Sequence, residues 1–157
     1  MVPLKVAEAT ASSHYASRTY GPDGLNPSRL VDNDKADGGW ITDVGGTEGA
    51  WLKFRFAAPA RILRVEIVNG FLEGGGGYYR HMRPRDVRVS FPETEGATVV
   101  LSLADDGSPQ VFDVDSGVAV GFARIDILSL WRDGPDPSVK PFNVVGLRHV
   151  EWKGDPA

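Results

Sequence analysis

An all-β sandwich of antiparallel strands is the fold this sequence predicts, and three observations predict it. Apolar and polar side chains alternate with period two in run after run, the pattern of a strand with one dry and one wet face. The runs are separated by turn clusters, in a chain carrying 19 glycines and 11 prolines. No window sustains a capped helical stripe. The 157 residues suit one domain spanning residues 1–157, large enough to need no covalent staple.

Taken in order, Val6–Ser12 reads as a first, weaker strand, Pro27–Val31 as a single helical turn, and Trp40–Asp43 as a short strand. In Trp51–Phe56, Leu52, Phe54 and Phe56 share one face while Lys53 and Arg55 take the other. A turn is expected at Ala57-Ala58-Pro59, followed by Leu63, Val65 and Ile67 alternating with Arg64 and Glu66. Val87, Val89 and Phe91 alternate with Arg88 and Ser90, then Thr98–Leu103 and Gln110–Val114 supply two weaker strands. Ala123, Ile125 and Ile127 alternate with Arg124 and Asp126, and Val144–Trp152 closes the chain. A one-residue slip in these alternating runs would bury arginines, so register is well specified. No repeat or linker divides the sequence, which makes eight or nine strands in all.

Charge and composition exclude several classes. Lys and Arg number 17 against 21 Asp and Glu, a net charge of −4, whereas general nucleic-acid binders are strongly basic. With no cysteine, disulfides, thiolate nucleophiles and zinc ribbons are impossible. Apolar runs such as Val99–Leu101 fall far short of the ~20 residues of a membrane span. Met1-Val2-Pro3-Leu4-Lys5 lacks a signal-peptide layout. An extracellular or particle-surface location would then require another export route or a larger secreted parent. His14, His81 and His149 lie on separate elements, and neither a Gly-x-Ser-x-Gly elbow nor a His-Glu-x-x-His motif occurs. A non-catalytic protein is expected.

Three segments carry chemistry. Gly74–Gly77 is followed by Tyr78-Tyr79-Arg80-His81 rather than by Gly-Lys-Ser/Thr and a helix, so it reads as a hairpin tip and not as a phosphate cradle. In Asp32-Asn33-Asp34-Lys35-Ala36-Asp37, Asp32, Asp34 and Asp37 with backbone carbonyls suit a calcium turn, though a self-capped Asx turn fits the same residues. Tyr78-Tyr79-Arg80-His81-Met82-Arg83 is the densest polar–aromatic cluster; His14-Tyr15 and Trp131-Arg132 share its character. Flat tyrosine faces and rigid guanidinium forks suit sugar rings and carboxylates. Packed tyrosines and solvated arginines are the open alternative.

The order Ala11-Ser12-Ser13, Leu30-Val31-Asp32-Asn33-Asp34, Trp40 and Ala50-Trp51-Leu52-Lys53-Phe54 resembles the discoidin, or coagulation-factor type C, superfamily. Val65-Glu66-Ile67-Val68-Asn69-Gly70-Phe71, Arg83-Pro84-Arg85-Asp86-Val87 and Leu101-Ser102-Leu103-Ala104-Asp105 leading to Gln110 are similar to a bacterial branch, the NAD-glycohydrolase translocation glycan-binding domain. The likeness runs from about Val6 to Trp152. It implies an eight-stranded antiparallel galactose-binding-like jelly roll, lectin-like and non-catalytic, that presents loops at one end to a carbohydrate or glycoconjugate. His14, Tyr15, Tyr78, Tyr79, His81, Arg83 and Trp131 are the ligand-binding residues it implies, with Arg83 and Asn69 equally readable as loop braces. It also implies a structural Ca2+ at Asp32, Asp34 and Asp37. The family's closing glutamate ligand falls at His149 here, and Glu151 replaces it only with a register two residues different. A protein partner, with the sandwich acting as an adaptor or decoration on a larger assembly, is the alternative function.

Overall fold

The computed structural model describes residues 1–16, 24–31, 39–71, 77–95 and 97–157. Among these there is no α-helix, and eleven strands follow one another. They are β1 (Val2–Pro3), β2 (Val6–Ala11), β3 (Trp40–Ile41), β4 (Trp51–Asn69), β5 (His81–Pro84), β6 (Asp86–Ser90), β7 (Thr98–Ser102), β8 (Gln110–Asp113), β9 (Ala119–Ile127), β10 (Leu130–Trp131) and β11 (Phe142–Pro156). Eleven replaces the expected eight or nine because the two-residue β1 and β10 and the four-residue β5 were not anticipated, while two expected strands merge into β4. One pairing, β5 with β11, is parallel. A 3₁₀ turn at Pro27–Leu30 starts where Pro27 follows Asn26, whose side chain accepts from the Ser28 N–H at 2.9 Å.

Strand β4 organises the sandwich. Its first part, Leu52 to Phe56, pairs with β2 on one side and β9 on the other. Its second part, Ala60 to Asn69, pairs with β11 and β8. One strand therefore serves both layers. The expected turn at Ala57-Ala58-Pro59 is instead a bulged corner: the register with β9 shifts between Arg55 and Ala60, and residues 57–59 are exposed. A bulge adds an unpaired residue and bends the strand without ending it, so Pro59 sits where no ladder N–H is required.

The layers close on each other through Trp152 of β11, whose ring meets Phe54 edge-on at 5.4 Å and Phe56 at 6.0 Å. Buried Leu52, Ile62, Val65, Ile67, Val87, Val89, Ile125 and Val150 complete this core. Leu25, Ile41, Phe71 and Val144 form a smaller cluster, against which Tyr15 packs.

Candidate functional site

Tyr78 and Tyr79 lie in a 3₁₀ turn, Tyr78–Arg80, that leads into β5. Their rings meet edge-on at 5.0 Å. Behind them the Arg83 guanidinium lies 5.3 Å from the Tyr78 ring and 5.1 Å from the Tyr79 ring. Arg83 is fully buried, and its Nε and Nη2 donate to the two Asp105 oxygens at 2.9 and 3.0 Å. Its Nη1 donates to the carbonyls of His81 and Arg132, and Nη2 also to that of Asp133. A guanidinium has five N–H donors, and all five are engaged inside the protein. None remains for a ligand, so the geometry speaks for Arg83 as a brace tying three loops together. Asn69 braces the same region, donating to the Pro84 carbonyl at 2.9 Å and accepting from the Gly70 N–H.

Asp105 also accepts from the Tyr78 hydroxyl at 2.9 Å. Burial first, and that bond next, raise the hydroxyl far above the ordinary tyrosine range, so it stays protonated. His81 is buried: Nδ1 lies 3.1 Å from the Gly77 carbonyl, and Phe71 meets its ring edge-on at 5.1 Å. Burial pushes its pKa down, outweighing the backbone bonds that raise it, so at neutral pH the imidazole is uncharged. His81 and Arg83, implied by the resemblance as ligand-binding residues, are thus packed inside the loop end.

What faces solvent is an open basin of about 500 Å³ lined by Tyr78, Tyr79, Asp105, Asp106, Gly107 and Arg148. Asp106 is exposed. Its carboxylate is held below the usual range by the Ser108 N–H and then the Ser108 side chain, so it is a constant acceptor. Neither Asp106 nor Arg148 was anticipated in this basin. Asp105-Asp106-Gly107 reads only as a turn until β4 and β11 bring Arg148 beside it. Of the other expected residues, Tyr15 packs on the second cluster and His14 is exposed. Trp131 pairs with Arg83 across β10 and β5, donates its indole N–H to the Leu103 carbonyl, and carries the Arg85 guanidinium 4.5 Å over its ring.

Two glycines seat the tyrosines. Gly70 has φ +80°, and a Cβ there would lie 2.3 Å from the Tyr78 ring. A Cβ on Gly134 would lie 2.7 Å from that of Tyr79. Gly70→Ala should therefore both strain the backbone and displace Tyr78, lowering stability by about 2 kcal/mol in urea unfolding. An unchanged midpoint would mean the ring is not seated there.

Asp32, Asp34 and Asp37 lie outside the described residues. Glu151 lies on β11 directly opposite Glu66 of β4, and His149 is near both: one ligand atom from each of the three falls within 4.8 Å of the others. No spacing argument anticipated this meeting of a histidine with carboxylates, because it depends on the β4–β11 register. The cavity beside it, about 400 Å³, is lined by Pro3–Val6, Val31 and His149–Trp152. Among the described residues lining it there is no serine or threonine.

The chain matches the family described as the NAD glycohydrolase translocation F5/8 type C domain over residues 4–132. It belongs to that family. Solved structures agree on the fold of this F5/8 type C domain. The F5/8 type C domain of a Bacteroides fragilis protein superposes with TM-score 0.61 at 15% identity, covering 98% of each chain. A Streptococcus pneumoniae fucose binding module gives TM-score 0.60 at 13% identity, covering 98% of this chain and 96% of its own. The CBM32 of AlyQ, in complex with 4,5-unsaturated mannuronic acid, gives 0.62 at 12% identity over 98% of each chain. In truncated AlyQ, which joins CBM32 and alginate lyase domains, the match spans 34% of that chain. No curated protein matches the sequence.

Proposed function

We propose that this F5/8 type C domain is a non-catalytic carbohydrate-binding module that holds its sugar in the basin beside Tyr78 and Tyr79. The observation that carries the reading is the paired tyrosines, fixed from behind by Arg83 and Asp105 and open in front beside Asp106 and Arg148. A pyranose has an apolar face that stacks on an aromatic ring and a rim of hydroxyls that asks for acceptors and donors. Tyr79 would supply the platform, Asp106 an acceptor and Arg148 a donor. Rigid tyrosines lose little entropy on binding. Neighbours of the same fold that bind fucose, pectin or a uronic acid support the reading.

The basin is shallow, so single-site affinity should be weak, with Kd on the order of 0.1–1 mM, about 4–5.5 kcal/mol. Multivalent presentation would raise the avidity. NMR titration of the labelled domain with fucose, oligoalginate and oligogalacturonate tests it. At least one sugar should shift the backbone amides of Tyr79, Asp106, Gly107 and Arg148, and Tyr79→Ala should weaken that sugar at least tenfold. Silence at these amides with every sugar, at roughly ten times that Kd, would rule the reading out.

A further inference from the structure

We infer that Glu66, His149 and Glu151 form a site for a borderline divalent cation of the zinc class, remote in chemistry from the sugar basin. The sheet builds it. Glu66 of β4 and Glu151 of β11 are direct antiparallel partners, which places their Cβ atoms about 4.5–5.5 Å apart. His149 precedes Glu151 by two residues and therefore shares its face of the strand. One imidazole nitrogen and two carboxylate oxygens converge to within 4.8 Å of one another. Ligands about 2.1 Å from a tetrahedral ion stand roughly 3.4 Å apart, so modest side-chain rotation closes the set.

The setting favours a cation. His149 is 4% exposed, while both glutamates are partly buried. Two carboxylates facing each other at partial exposure repel each other, and a divalent ion between them reverses the sign of that interaction. Lys153 approaches Glu151 at 3.4 Å with both side chains partly solvated, an ammonium that can swing into water when an ion arrives. The cavity of about 400 Å³ bordering His149 and Glu151 gives access and leaves room for a water as fourth ligand.

Donor chemistry decides the class of ion. Calcium takes six to eight oxygens, and an imidazole nitrogen flanked by only two carboxylates does not fit that demand. Zinc, cobalt(II) and manganese(II) accept mixed nitrogen and carboxylate donors. The calcium implied by resemblance and the site argued here thus differ in ion and share Glu151, with Glu66 and the His149 imidazole standing in place of the Asp32, Asp34 and Asp37 carboxylates.

Calorimetry and thermal unfolding of the tag-free chain, with zinc chloride and separately with calcium chloride, test the inference. Zinc should bind in one equivalent and raise the unfolding midpoint, with calcium producing no comparable shift. Cobalt(II) should give visible absorption bands of a four-coordinate nitrogen–oxygen site. Glu66→Gln and Glu151→Gln keep the side-chain shape, and each should weaken zinc at least tenfold and bleach the cobalt bands. Absence of zinc binding, unchanged affinity in both variants, or calcium matching zinc would each overturn the site. None of these readouts involves a sugar, so the carbohydrate reading stands or falls separately.

Discussion

Arg83→Ala should lower the thermal unfolding midpoint by about 10 °C, from a loss of about 3–5 kcal/mol at 2–4 °C per kcal/mol for a chain this size. The size of the effect comes from what the substitution strands. Asp105, only partly exposed, would lose its guanidinium partner, and the carbonyls of His81, Arg132 and Asp133 would lose their donor together. Breaking one side of a buried ion pair leaves an uncompensated charge, which costs more than the pair contributes. Arg83→Lys is the sharper test, because one ammonium has three donors and no planar fork. It should recover less than half of the lost stability. If differential scanning calorimetry shows lysine equal to arginine, the five-donor clamp is not what holds the loops.

The second large effect belongs to the core. Trp152→Ala should destabilise the domain by about 3–5 kcal/mol in urea unfolding, since it removes the ring that touches both Phe54 and Phe56 and leaves a cavity between the layers. Trp152→Phe should cost much less, about 1–2 kcal/mol. The reason is specific: Trp152 is fully buried, and its indole N–H finds no hydrogen-bond partner among the described residues. Phenylalanine keeps most of the apolar contact and discards a buried donor that already lacks a partner. Equal losses for the two variants would show that the N–H, not the packed ring, carries the stability.

Much of the fold was legible because alternation is local. Leu52, Phe54 and Phe56, and again Val87 and Val89, are buried as their period-two spacing requires. Ala57-Ala58-Pro59 misled for a physical reason: a bulge breaks the alternation in the same way a turn does, and only the pairing with β9 on both sides of it tells them apart. At the candidate site, Tyr78 and Tyr79 line an open basin. Arg83 and His81, beside them in sequence, turn inward. Residue type alone cannot distinguish a guanidinium offered to a ligand from one satisfied by carbonyls.

The amino-acid sequence by itself determined the all-β class, the wet and dry faces of its strands, the family, and the segment that bears the tyrosines. All of these rest on neighbours two residues apart or on the order of short motifs. Only the tertiary structure decided that Arg83 finds its partners 22, 49 and 50 residues away, that Asp106 and Arg148 share a basin, and that Glu66 stands opposite Glu151. Those relations follow from strand register and layer packing, which join residues distant along the chain and leave no periodic trace in it.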